Sequence, residues 1–95
     1  MDHPKTPLAD AYSLERFRDY LTVEAGNSGH TVESYLRDIT RLAEYATSRG
    51  AKAPEQLSAA QLREFIYFLK DLGLAPTTIR RQISAIRTYF KFLVG

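Results

Sequence analysis

The stretch SAAQLREFIYFLKDLGLAPTTIRRQISAIRTYFKFLV, residues 58–94, decides the fold of this 95-residue chain. It opens with a capping box, in which Ser58 is the N-cap and Gln61 follows three residues later. Gly73 ends the helix that begins there, and Pro76 stands at the first position of the next helix, where its missing N–H costs nothing. The stretch therefore predicts two helices joined by about three residues, which must form a tight hairpin.

Apolar residues recur every three or four positions along both helices of this hairpin, as expected of helices that bury one face. The predicted core positions are Leu62, Phe65, Ile66, Leu69 and Leu72 on the first helix, and Ile79, Ile83, Ile86, Phe90 and Leu93 on the second.

The same periodicity predicts two helices upstream of the hairpin. The first begins near Ser13, a good N-cap, and ends before Gly26. The second has Ser28 as its N-cap and ends at Arg49, with Gly50 as the terminating glycine. Its apolar stripe consists of Val32, Tyr35, Leu36, Ile39, Leu42 and Ala46. No stretch alternates apolar and polar residues as a half-buried strand does, so the predicted fold is all-α with four helices.

Length and composition limit the remaining possibilities. We expect one domain at residues 12–95, preceded by a flexible tail at residues 1–11. The chain has no cysteine, which excludes disulfides and thiolate zinc sites. It has neither a signal-peptide pattern nor an apolar run long enough for a membrane span, so we expect a cytoplasmic monomer without a membrane partner. The last predicted helix runs almost to the final residue, which suggests a piece of a longer protein.

Catalysis finds no support in the sequence. His3 and His30 lack the spacing of a metal site, and the acidic residues form no pair that helical spacing places together. Without strands there is no glycine-rich phosphate loop. The sequence therefore predicts no catalytic residue, no metal ligand and no cofactor.

The fourth predicted helix carries the positive excess of the chain. Between residues 76 and 94 there are four cationic residues and no acidic one, whereas the other three helices are neutral or slightly acidic. Opposite its apolar stripe, hydroxyl and basic residues recur every three or four positions: Thr77, Arg80, Ser84, Arg87 and Lys91, with Arg81 beside them. Such a face is typical of a surface that binds a polyanion, since arginine suits both phosphates and guanine edges. The alternative is a solvated basic face, although such faces usually mix both signs.

A weaker polar stripe follows the second predicted helix. It consists of His30, Ser34, Arg37 and Arg41, with Thr31 in the first turn, where free N–H groups favour an anion. Alternatively, these arginines pair with the acids that share the helix, Glu33, Asp38 and Glu44. Double-stranded DNA is the predicted partner of both stripes. Arg63 lies on the third helix, where acids balance the charge, and is not expected to face DNA.

Three segments together resemble a known family. LERFRDYLTVEAG occupies residues 14–26, and the pattern G-L-x-P-x-T-I-x-R-x-I-S-A-I-R occupies residues 73–87. Between them, the pattern S-x-x-T-x-x-x-Y-x-x-D is formed by Ser28, Thr31, Tyr35 and Asp38. In this order the segments resemble the N-terminal core-binding domain of tyrosine recombinases, in particular bacterial Xer-type enzymes and related phage integrases.

The resemblance implies a SAM-like bundle of four helices, arranged as two crossed hairpins. In that family the domain is one half of a C-shaped clamp on DNA, with the second and fourth helices in the major groove of a recombination half-site. The positions that match family residues near DNA are Thr31, Ser34, Arg37, Thr77, Thr78, Arg81 and Ser84. Arg41, Arg80 and Arg87 join this predicted site from the two stripes alone.

The resemblance also implies that the chemistry lies elsewhere. The nucleophilic tyrosine and the residues that activate the scissile phosphate belong to a C-terminal domain in this family. We therefore expect this fragment to bind DNA without cutting it. The parent protein would break and rejoin strands through a covalent 3′-phosphotyrosyl link, without a cofactor, in a tetramer of recombinase protomers.

Two other functions fit an all-α domain of this size. SAM-like bundles also mediate self-association, and a protein-interaction module would not show the steep salt dependence of duplex binding. A helix-turn-helix regulator with the fourth helix as its recognition helix would need a dimer surface, for which the sequence offers no spare apolar face.

Overall fold

The computed structural model describes residues 7–95, and they form an all-α bundle. Its helices are α1 (Pro7–Ala11), α2 (Leu14–Asp19), α3 (Gly29–Ser48), α4 (Ala59–Asp71) and α5 (Pro76–Val94). A π-helix at Tyr20–Glu24 continues α2, and a 3-10 helix at Pro54–Gln56 lies between α3 and α4. None of the residues from 7 to 95 forms a β-strand, and the predicted fold class is confirmed. In this part of the chain no helix is both long and apolar enough to cross a membrane.

The predicted boundaries of α3 and α4 are confirmed by their caps, and α5 begins at Pro76 as predicted. The Ser28 side chain accepts a hydrogen bond from the Thr31 N–H and begins α3. Ser58 and Gln61 form both hydrogen bonds of the capping box at the start of α4. Gly50 and Gly73 follow α3 and α4 with φ angles of 91° and 80°, a conformation that side chains other than glycine rarely adopt.

The N-terminal part differs from the prediction. Ser13 precedes α2, but its φ of 52° and ψ of 42° are left-handed, and its side chain caps no N–H group. The backbone turns sharply there because α1 comes immediately before it. The five residues of α1, which the sequence placed in a tail, pack Leu8 against the core. Residues 1–6 of the predicted tail lie outside the described residues.

The buried face of α5 is rotated relative to the predicted one. Ile79, Gln82, Ala85 and Tyr89 are buried, whereas Ile83, Ile86, Phe90 and Leu93 are only half-buried. The reason is that α5 packs more extensively against α3 than against α4. On α4, Phe65 and Leu69 are fully buried as predicted, but Leu72 is 58% exposed and its predicted core position is wrong.

Two buried tyrosines connect segments that are far apart in the chain. The Tyr89 hydroxyl donates a hydrogen bond of 2.7 Å to the carbonyl of Tyr12, and the Tyr12 hydroxyl donates one of 3.1 Å to the carbonyl of Ala51. Phe17 packs edge-on against the Tyr89 ring. Burial raises the pKa of both tyrosine hydroxyls above the ordinary value. The hydrogen bonds thereby join the N-terminal segment, the loop after α3, and α5.

Candidate nucleic-acid interface

The two helices that carry the predicted site pack against each other, and one ion pair links them. Arg81 of α5 donates two hydrogen bonds to the carboxylate of Asp38 on α3, from Nε to Oδ2 and from Nη2 to Oδ1, each 2.8 Å long. Side-on pairing of this kind uses one edge of the planar guanidinium and fixes its orientation. The hydrogen bond to Asp38 raises the pKa of Arg81 above its ordinary value. The predicted DNA-contacting residue Arg81 is therefore already engaged by α3.

The carboxylate in this pair is fully buried, while the arginine reaches the surface. Asp38 has no exposed area, and the Arg81 side chain is 36% exposed. Gln82, next to Arg81 and also fully buried, donates a 2.8 Å hydrogen bond from Nε2 to the backbone carbonyl of Asp38. A buried carboxylate costs several kcal/mol to desolvate, so it requires such partners. Two consecutive residues of α5 thus bind one residue of α3.

Two buried polar atoms on the same helices have no hydrogen-bond partner among the described residues: Nη1 of Arg41 and Oε1 of Gln82. An unpaired buried polar atom costs about 1–3 kcal/mol. Part of the Arg41 guanidinium is therefore directed into the protein. It is available to an external ligand only through the rest of that group.

The remaining predicted site residues divide by exposure. Those with exposed side chains are Arg37, Thr77, Arg80, Ser84 and Arg87, and those half-buried are Thr31, Thr78 and Arg41. Ser34 differs, because it is only 8% exposed. Ser34 and Asp38 are four residues apart and share one face of α3, and α5 covers that face at Asp38. The helical stripe predicted for α3 thus contains a buried position.

The acids of α3 do not neutralise its arginines in the way the sequence left open. Glu33 forms an ion pair with Arg18 of α2, and Asp38 pairs with Arg81. Within residues 7–95, Arg37 forms no ion pair, and neither Arg80 nor Arg87 does. These three exposed guanidinium groups are free to bind an anion.

On its other side α5 meets α4 across an open apolar groove. The groove is lined by Leu62, Arg63 and Ile66 of α4 and by Ile83, Ile86 and Arg87 of α5. Arg87 therefore lies toward α4, whereas Arg81 lies toward α3. The structure brings Arg63 to the same groove as Arg87, a proximity that the sequence did not predict.

Asp38 and Gln82 were not predicted as site residues. Asp38 was named as the last residue of the family pattern on the second predicted helix and was weighed as a partner for arginines on that helix, but it was not assigned to the site. Gln82 gave no signal, since a single glutamine beside an apolar stripe is common. In the part of the chain that the structure describes, no three histidine, cysteine or carboxylate residues are placed to hold a metal ion.

Most of this chain is similar in sequence to known proteins. Residues 14–95 match the family model described as phage integrase, N-terminal SAM-like domain. Tyrosine recombinase XerD of Chlorobaculum tepidum is 43% identical over 82 residues, which are 86% of this chain and 27% of the relative.

Two relatives named tyrosine recombinase XerC extend the match. The protein of Xanthomonas campestris pv. campestris is 37% identical over 90 residues, covering 93% of this chain and 28% of its own. The protein of Vibrio cholerae is 32% identical over 92 residues, covering 95% of this chain and 30% of its own. The chain thus spans less than a third of the length of these curated relatives. No solved structure matches the chain significantly.

Proposed function

The chain belongs to the family of phage integrase N-terminal SAM-like domains, and from this premise we propose that it is the DNA-binding arm of a site-specific tyrosine recombinase. In this proposal α3 and α5 face the major groove of a recombination half-site. The observation that carries it is the charge of α5: four cationic residues, no acid, and exposed guanidinium groups at Arg80 and Arg87 without ion pairs among the described residues.

Exposed cations supply the affinity in this proposal. Arg37, Arg80 and Arg87 each neutralise a phosphate and release the counterions condensed on it, a contribution that falls steeply as salt rises. Thr77 and Ser84 are short and exposed, so they allow α5 to approach the groove closely and can donate hydrogen bonds to phosphate oxygens. Thr31, Thr78 and Arg41 contribute at the margin of this surface. Ser34 does not belong to this exposed surface, because its side chain is buried.

Strand cleavage belongs to the parent protein in this proposal. The relatives are more than three times the length of the match, and we propose that a C-terminal domain supplies the nucleophilic tyrosine and acts in a tetramer of protomers. Two of the six tyrosines of this chain are buried too deeply to act as the nucleophile. Tyr12 and Tyr89 are fully buried and donate their hydroxyl protons to backbone carbonyls, so neither can reach a phosphate.

A salt titration tests the proposal. We expect the chain to bind a mixed-sequence DNA duplex with an affinity that falls linearly in a log–log plot against salt. Arg80→Ala removes an exposed cation from α5 and is expected to reduce the slope by about one. Lys52→Ala removes an exposed cation from the loop after α3 and is the control, with an unchanged slope. Absence of salt-dependent binding, or equal effects of the two substitutions, would exclude the proposed face.

Self-association is the second candidate function, and the apolar groove between α4 and α5 is the observation that favours it. Sedimentation of the chain over a range of concentrations separates the two candidates. We expect a monomer at every concentration. A dimer that dissociates when Ile83 is replaced by Asp would favour the second candidate.

A further inference from the structure

We propose that Asp38 is a positioning residue for DNA recognition, which holds the Arg81 guanidinium so that its free end presents paired donors to the duplex. The inference rests on the proposed function and assigns a role to a residue that cannot touch DNA itself. Asp38 is fully buried, and its two carboxylate oxygens both accept hydrogen bonds from Arg81.

The geometry of the pair leaves the outer edge of Arg81 available. A guanidinium has five N–H donors, and the Asp38 carboxylate takes one on Nε and one on Nη2. The donors on Nη1 and the second donor on Nη2 remain. Nη1 of Arg81 is not among the buried polar atoms without a partner, unlike Nη1 of Arg41. One donor of Nη1 and the remaining donor of Nη2 form the parallel pair that suits two adjacent acceptors, either two phosphate oxygens or O6 and N7 of a guanine.

Rigidity is the benefit of this arrangement. A free arginine loses side-chain entropy when it binds, because several rotatable bonds become fixed. Here Asp38 fixes them before DNA arrives, and Gln82 fastens the same turn of α5 to the Asp38 backbone carbonyl. The ion pair also ties α5 to α3, so that both helices approach the duplex in one relative orientation.

The direction in which the DNA affinity changes distinguishes a positioning role of Asp38 from a simple effect of its negative charge. Asp38→Asn removes a negative charge with little change of shape, so electrostatics alone would tighten DNA binding. If Asp38 acts by holding Arg81, the substitution weakens binding instead. We expect an affinity for a mixed-sequence duplex that is lower by about three- to tenfold, a range typical of coupling between residues in contact.

A double-mutant cycle tests the coupling, with Arg81→Gln as the second substitution because glutamine keeps a donor for the buried carboxylate. The substitution of Asp38 is expected to weaken binding when Arg81 is present and to leave it unchanged or tighter in the Arg81→Gln background. Equal weakening in both backgrounds would indicate a structural role and overturn the inference. Tighter binding in both would indicate charge alone and overturn it as well. Urea unfolding of each variant confirms that the titrated protein is folded.

Arg81→Lys provides a test that leaves Asp38 in place. Lysine keeps the charge but cannot form the planar two-point contact, so we expect Arg81→Lys to bind DNA more weakly than the wild type. Binding equal to that of the wild type would overturn the inference.

A duplex that contains only A·T pairs identifies the acceptor on DNA. If the coupling between Asp38 and Arg81 persists on this duplex, the acceptor is a phosphate, and if the coupling disappears, the acceptor is a guanine. If the wild-type chain binds no duplex at all, the proposed function itself is wrong, and this inference falls with it.

Discussion

The two sides of α5 meet their neighbours by different chemistry. Toward α3 the contact is closed, and it buries polar groups: Asp38 and Gln82 are fully buried, and the hydrogen bonds that Arg81 and Gln82 donate to Asp38 cross the interface. Toward α4 the contact is apolar but open, and Ile83 and Ile86 line a groove that water reaches. Which residues of α5 are buried is therefore determined by its packing against α3, and not by the hydrophobicity of the side chains.

The largest expected effect compares two adjacent aromatic residues of α5. Tyr89 has no exposed area, whereas Phe90 is half-buried. We expect Tyr89→Ala to lower the free energy of unfolding by about 3–5 kcal/mol, as is usual for emptying a buried aromatic position, and Phe90→Ala by about 1–2 kcal/mol. Urea unfolding measures both. Equal losses would show that the α4 side is as closed as the α3 side.

The next comparison concerns two arginines of the same helix. Arg81→Ala leaves the buried carboxylate of Asp38 without its ion-pair partner, and we expect a loss of about 3 kcal/mol in the free energy of unfolding. Arg87→Ala removes an exposed side chain, and we expect a change within about 0.5 kcal/mol. Thermal unfolding at low protein concentration measures the difference. If both substitutions changed the free energy of unfolding equally, the ion pair would not stabilise the contact between α5 and α3.

The two buried tyrosines are expected to make the stability of the protein depend on pH. Burial raises the pKa of Tyr12 and Tyr89, so the unfolded chain, in which tyrosine titrates near pH 10, loses these protons first. Stability is therefore complete below about pH 10 and falls as the pH rises further, by up to about 1.4 kcal/mol per pH unit for each hydroxyl. Urea unfolding across this range checks the slope.

Two conservative variants serve as controls for this slope. We expect Tyr89→Phe to reduce it, because one of the two buried hydroxyls is then absent. Tyr12→Phe removes the other buried hydroxyl, and we expect it to reduce the slope as well. An unchanged slope in both variants would contradict the assignment to the buried pair.

The smallest expected effect lies in the groove. Ile83→Thr shortens a half-buried side chain by one carbon and replaces another carbon with a hydroxyl that can reach water, and we expect a loss below about 1 kcal/mol. Ile79→Thr makes the same change at a position that is only 8% exposed, and we expect about 2 kcal/mol. Similar losses at both positions would mean that the groove is closed in solution.

The sequence predicted the ends of the long helices because capping is local. Ser28, Ser58 and the glycines after α3 and α4 determine those ends through hydrogen bonds or dihedral angles within a few residues. The buried face of α5 was only partly predicted for the opposite reason. Residues 82, 85 and 89 and residues 83, 86 and 90 both follow helical spacing, and hydrophobicity favours the second set. Only the docking of α3 selects the first.

The candidate site shows the same limit. The sequence indicated α5 by its charge, because the absence of acids can be counted, and it indicated α3 by a stripe of polar residues. Asp38 and Arg81 are 43 positions apart in the sequence, so no pattern within a single helix could predict that they pair. The weaker stripe on α3 contains one buried residue, Ser34, because one side of the stripe faces α5.

The tyrosine hydrogen bonds have a consequence for where the domain starts. The segment matched by the family model begins at residue 14, two positions after Tyr12. Yet the Tyr12 ring has no exposed area, and its carbonyl is the acceptor for the buried Tyr89 hydroxyl. A chain truncated at residue 14 would lose that ring and leave the Tyr89 hydroxyl without its acceptor, 77 residues away. The smallest piece that retains this packing therefore starts upstream of the segment that the family model matches.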